Sequence, residues 1–143
     1  VAYVTQQNLI DRFGEKELIQ LTDRTNLPAT TIDATVVAAA IGDAEKLADS
    51  YMAKRYALPL NPVPDVLVPV VANIARYNLH SEYAEKDSAV TRNYKDAVAW
   101  LKDVASGIVQ LEADGVASDQ PASGQVQISA PDKVFSRDSL KGY

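Results

Sequence analysis

Apolar residues recur along most of the chain at the three- and four-residue spacing of helices, and this pattern breaks down near residue 112. Thr5 stands where a hydroxyl can accept a backbone N–H of an opening helical turn, and Leu9, Ile10 and Phe13 follow at helical spacing. Gly14 ends that run at a position suited to left-handed backbone. Glu15 to Asp23 predicts a second short helix with Leu18, Ile19 and Leu21, its opening acids matching the helix dipole. Thr25-Asn26 and Pro28 mark a loop.

The strongest periodicity begins near Thr31 or Asp33 and runs through Ile32, Val36, Val37, Ala40, Ile41, Ala44, Leu47, Ala48, Tyr51 and Met52. Lys46, Asp49 and Lys54 fall on the other face of this third helix. Gly42 lies inside it, where glycine costs ~1 kcal/mol relative to alanine. Close approach of a neighbouring helix is the expected reason, with a functional hinge as the alternative. Pro59, Pro62 and Pro64 then predict an extended connection, because proline disfavours helix in the residue before it. Asp65 is the expected cap of a fourth helix reaching about Glu82, with Leu67, Val70, Val71, Ile74, Tyr77 and Asn78 on one stripe. Pro69 falls in or just after its first turn, where a missing N–H matters least. A fifth helix starts near Asp87 or Ser88 and holds its period from Val90 through Tyr94, Ala97, Val98, Leu101, Val104, Ala105 and Ile108. Arg92 and Asp96 have the spacing of an i, i+4 ion pair.

Beyond Glu112 the composition shifts. Residues 114–124 are too polar and too rich in small residues to offset their ordering entropy, and read as a linker. Gln125-Val126-Gln127-Ile128-Ser129 alternates with period two, a short strand signal. Phe135, Leu140 and Tyr143 follow, interleaved with Arg137 and other charges. The expected architecture is therefore an all-α bundle of four to five helices over residues 1–112, with an extended C-terminal arm over 113–143 containing a short β-strand. Such an arm either folds back on its own bundle or docks on another chain, by strand addition or by apolar anchors. Pattern alone leaves both open.

Composition narrows the chemistry. The 143 residues are 47% apolar and 23% charged, as in an ordinary single globular domain. Fourteen Lys/Arg against nineteen Asp/Glu give a net charge of −5, so there is no basic footprint for nucleic acid. The absence of cysteine excludes disulfides, thiolate metal sites and a Cys nucleophile. A single histidine, His80, excludes a multi-His metal centre. No apolar run approaches the ~18–20 residues needed to span a bilayer, and no signal peptide is evident. A soluble intracellular protein is expected, without membrane contact.

His80 sits at the end of the fourth helix, with Arg76 and Tyr77 one turn before it, and nothing in the sequence nominates a nucleophile or an orienting carboxylate. It reads as a structural histidine. Asp43 with Glu45, and Asp11 with Glu15, lack the glycine-punctuated loop of a calcium site and read as solvated faces. The glycines form no GxGxxG or P-loop. No catalytic residue, cofactor or metal is expected. Arg55-Tyr56 with Leu58-Pro59-Leu60 is the most particular segment. Either it is a helix end packing Tyr56 and the two leucines into the core, or Arg55 is held at a subunit boundary by a neighbour's carboxylate.

Several of these segments together resemble a known family. Tyr3-Val4-Thr5, Leu9, Arg12-Phe13-Gly14-Glu15, Glu17-Leu18 and Leu21-Thr22-Asp23 resemble the N-terminus of the small head–tail adaptor proteins of Mu-like phages and prophages. Asp49, Tyr51, Arg55-Tyr56 and Leu58-Pro59-Leu60 resemble its central signature, with Met52 where a leucine is expected. Phe135-Ser136-Arg137-Asp138 and Leu140 resemble the terminal one. The resemblance implies a head-completion connector: a homo-oligomeric ring matching the portal's twelvefold symmetry, beneath the portal protein at the capsid vertex. It would extend the DNA channel, let genomic DNA pass without specific binding, and dock the neck or tail-completion proteins. The virion's head–tail junction is then the expected location, with the host cytoplasm as the site of assembly. The interface residues expected on this reading are Arg55, Val126, Ile128, Phe135, Arg137, Leu140 and Tyr143. The rival expectation is a cytoplasmic scaffolding or regulatory domain that binds one protein through its arm.

Overall fold

The computed structural model describes residues 2–111, which form five α-helices: α1 (Gln6–Phe13), α2 (Glu15–Thr22), α3 (Ala34–Met52), α4 (Leu67–His80) and α5 (Ala89–Ser106). A single 3-10 turn, Ser81–Tyr83, follows α4, and no strand occurs among the described residues. The expected linker, strand and apolar anchors of residues 113–143 lie outside them.

The core is an up–down–up layer of α3, α4 and α5, in which α4 packs extensively on both neighbours. Alanine fills three of the five buried positions of α3, between Val37 and Met52, and Ala72 and Ala75 are likewise buried on α4. Small residues along both helices suit the close packing of antiparallel neighbours. Tyr77 of α4 stacks on Tyr94 of α5, ring centres 4.0 Å apart. The short pair α1–α2 lies on α3 and α4 and buries Leu9 and Leu18 there.

Helix ends follow local chemistry. The Thr5 side chain caps α1, and the Asn8 side chain returns a bond to the Thr5 amide. Gly14, at φ 90°, ends α1 and opens α2. Asp33 caps α3 through the amides of Thr35 and Val36, and Ser88 caps α5 through the amide of Thr91.

Four local expectations fail. Asp65 makes no cap: its backbone carbonyl and that of Pro64 accept from Val68 and Leu67, so a tight turn leads into a helix whose first residue is already buried core. The fourth helix ends at His80, short of Glu82, because Ser81 turns to φ 48°. Arg92 donates to the Asp87 carbonyl at 2.8 Å and pairs with no carboxylate, Asp96 included, among the described residues. Around Gly42 no neighbouring helix approaches, since a Cβ built there meets nothing within 4 Å.

Candidate functional site

The residues that the sequence singled out gather at the two ends of the α3–α4–α5 layer. At one end α3 and α5 finish together. Tyr56, just past α3, is buried, and its hydroxyl accepts the backbone N–H of Leu111 at 3.0 Å across a separation of 55 residues. Arg55 is half-buried beside it, its guanidinium laid over Gly107 so closely that a Cβ there would stand 1.8 Å from Nη1. Glycine is favoured at 107 by its left-handed backbone at φ 85°, and a Cβ there would in addition push the flexible Arg55 guanidinium aside. A guanidinium at that point also faces the negative end of the α5 dipole. Arg55 pairs with no carboxylate among the described residues.

Leu60 packs into the core as expected, but Leu58 is partly exposed, so only one of the two leucines of this segment is core. Leu58, Val66 and Ile108 leave three exposed apolar side chains on the elements of the end where the chain continues beyond Leu111. The other expected interface residues, Val126, Ile128, Phe135, Arg137, Leu140 and Tyr143, lie outside the described residues.

At the opposite end, polar groups organise the chain. Glu17 of α2 receives Arg76 Nε at 2.8 Å and Nη2 at 3.1 Å, and His80 Nε2 lies 3.0 Å from the same carboxylate. Burial works to raise the Glu17 carboxyl, but the Arg76 and His80 hydrogen bonds outweigh it and hold the group below the usual carboxylate range. Arg76 also lies over the Phe13 ring, 4.5 Å from its centre. His80 therefore does have an orienting carboxylate, supplied from 63 residues away. It borders a hollow of about 440 Å³ together with Asp23, Arg24, Ser81 and Tyr83. The Glu17 contacts fasten α2 to α4, and no hydroxyl among the described residues is hydrogen-bonded to His80. Among the described residues no group of three or more potential ligands is placed to hold a metal.

Next to this cluster, Asp23 closes the α2–α3 loop. Its carboxylate accepts the amides of Thr25, Asn26, Thr30 and Thr31 and the Asn26 side-chain amide, all within 3.1 Å. The Thr30 amide foremost, then the Asn26 side chain, hold the Asp23 carboxyl far below its ordinary value. Buried Thr22 braces the root of the loop, donating to the Leu18 carbonyl and accepting the Asp33 amide.

Tyr3 straps the N-terminal segment to α3. Its amide donates to Glu45 at 2.6 Å and its hydroxyl to Asp49. Burial first, then the Asp49 hydrogen bond, push the phenol well above its ordinary value. Glu45 and Asp49 are thus engaged rather than merely solvated, whereas Asp43 remains exposed and 3.7 Å from Lys46. Tyr3, Thr22, Asp23, Asp49 and Tyr56 all belong to the motifs quoted above, and each makes a specific tie. Glu17 and Tyr3 were legible only as motif members. An Asp followed two and three residues later by Thr and Asn was a readable turn signal for Asp23.

Residues 3–130 match the family described as "Bacteriophage Mu, Gp36". The chain belongs to the bacteriophage Mu Gp36 family. A Gp36-family relative, the "Mu-like prophage FluMu protein gp36" of Haemophilus influenzae, is 32% identical over 144 residues, covering 100% of this chain and 99% of the relative. "Gene product J" of Escherichia phage Mu is 32% identical over 145 residues, covering 99% and 98% respectively. The Gp36 match thus takes in both ends of the bundle and continues past Leu111. This is a Mu-like phage protein.

Proposed function

We propose that this chain is a structural head-to-tail connector of a tailed phage, forming a ring of identical subunits under the portal and working without catalysis. The observation that carries the reading is the end-to-end correspondence with a phage Mu protein and a Mu-like prophage protein. The surface suits the role. Exposed Leu58, Val66 and Ile108, with Arg55 beside them, lie on the elements of the end that holds Leu111, and farther along the sequence come the apolar residues Val126, Ile128, Phe135, Leu140 and Tyr143. In this reading Arg55 and those anchors touch the neighbouring subunit, the portal or the tail-completion proteins. A net charge of −5 lets DNA pass without being gripped. Twelve subunits would match the portal, and the protein would reside at the head–tail junction after assembly in the host cytoplasm.

Deletion of the gene in its phage tests the reading. Filled heads and separate tails that do not join are expected, together with loss of a ring at the vertex in electron micrographs. Normal tail joining without the protein overturns it. Duplex DNA binding by the purified chain at micromolar or tighter affinity in physiological salt would overturn the passive channel.

A further inference from the structure

The α2–α3 loop has a feature that its own fold does not use. The Asp23 carboxylate spends its bonds inside the loop, on the amides of Thr25, Asn26, Thr30 and Thr31, and the tip this creates carries Leu27 wholly exposed to solvent. An unordered loop would show a leucine only transiently. Here the ordering cost is met within the free subunit, so an apolar side chain is presented ready to bind. Arg24, three positions earlier in the same loop, is exposed and without a carboxylate partner among the described residues.

The flank of α3 offers the counterpart. Val4, Val37, Ala38, Ile41 and Gly42 line a largely apolar groove of about 340 Å³, with Glu45 at its edge. Gly42 weakens the helix relative to alanine, and the space its missing side chain leaves is open, with no atom within 4 Å of a Cβ position. Nothing in the subunit's own packing requires glycine there. The space beside residue 42 is open to a partner side chain, and the acid in the groove's lining, Glu45, has its second carboxylate oxygen left over from the Tyr3 and Val4 amides that Oε1 accepts.

We infer that the Leu27 loop of one subunit seats in the Gly42 groove of the next copy, with Arg24 directed to that copy's Glu45. The occupant is a second copy because knob and groove match in apolarity and in charge, while Leu27 stands free of its own subunit. Two different patches in contact make a heterologous interface, which closes into a ring when the rotation between copies allows it. One leucine and one groove fall short of the ~1,000 Å² of a specific interface, so this contact sets register within a larger one. The inference rests on the ring reading above and names the surface that repeats around it.

The chain has no cysteine, which makes the test clean. Leu27→Cys and Gly42→Cys are made in the full chain, with circular dichroism to verify helicity, and the two purified variants are mixed at high concentration under mild oxidation. A disulfide-linked dimer that needs both variants is expected. Gly42→Cys mixed with Tyr83→Cys, at another exposed position, should give at least tenfold less. The double variant in assembled phage should give a ladder of linked copies. Gly42→Leu, which fills the groove, should melt no lower than the parent and reduce ring formation tenfold or more. No linked dimer above the Tyr83 background, a Leu27→Cys linked to a different protein in the particle, or a Gly42→Leu that assembles as the parent does would each overturn the contact. Rings present without the link sink this inference alone. If the chain is absent from the vertex, the connector reading falls, and the purified mixture still decides the contact.

Discussion

At the end of the bundle where α3 and α5 finish, the chain is closed by groups withdrawn from water: the Tyr56 ring, the Leu111 amide on its hydroxyl, and Leu60 beneath. At the other end, closure depends on carboxylates that water still reaches, Glu17 holding Arg76 and His80, and Asp23 holding its own loop. Both ends join segments that are distant in sequence or otherwise loose, but they fail under different stresses. Buried closure answers to truncation, because a cavity or an orphaned N–H cannot be filled by solvent. Polar closure answers to protonation, because its strength is the charge on the carboxylate.

The largest effect expected is from Tyr56→Ala, which removes a buried ring and strands the Leu111 amide. A loss of about 3–5 kcal/mol in denaturant unfolding at neutral pH follows from comparable aromatic truncations. A loss under 1 kcal/mol would break the contrast by showing that this end is not structural. Tyr56→Phe keeps the ring and removes only the acceptor, and should cost roughly 1–2 kcal/mol, the penalty of one buried unsatisfied N–H.

Glu17→Gln should cost a similar ~1–2 kcal/mol, discounted because the pair retains some contact with water, and here pH separates the two ends. The folded Glu17 carboxyl lies below its unfolded value, so its stabilisation is complete above about pH 4.3 and is lost as pH falls through the folded value. The stability gap between the parent and Glu17→Gln should therefore narrow between pH 7 and pH 3. The gap between the parent and Tyr56→Phe should not change.

Asp23→Ala should have the smallest effect on global melting and a clear local one. Amide exchange at Asn26, Thr30 and Thr31 should accelerate, since their acceptor is gone. In the parent the folded Asp23 carboxyl is held far below its unfolded value, so it stays ionised on its amides through the range where ordinary carboxylates protonate, while its contribution to stability is complete above about pH 3.9 and declines as pH falls from there toward the folded value. Protection of those amides at pH 4 in the parent, against its absence in the variant, checks the sign. Loss of protection in the parent at that pH would show that the loop is not held by this carboxylate.

What could be read in advance depended on how far apart the partners lie. The caps at Thr5, Asp33 and Ser88 sit within three residues of the amides they satisfy, so residue type and spacing suffice. The apolar stripes of α3 and α5 likewise determined which faces are buried, because helical geometry places those positions together whatever they pack against, except at Ile108, which lies past the end of α5 at Ser106 and is exposed. Asp65 misled because a capping side chain is a local preference, and the start of α4 is set instead by buried Leu67 and the turn through Pro64. Gly42 misled because a missing side chain is equally compatible with a close neighbour and with an open groove.

The sequence by itself determined the helices, most of their ends, the buried stripes and, through its motifs, the family. Tertiary structure alone decided which motif residues meet: Tyr3 with Asp49 across 46 positions, Tyr56 with Leu111 across 55, and Glu17 with Arg76 and His80 across 59 and 63. No spacing rule reaches that far. Those pairs exist because packing α1 and α2 on the three-helix layer, and α3 beside α5 within it, brings the groups within hydrogen-bond distance, and that packing is driven by burial of the whole apolar surface, which is non-directional and names no partner.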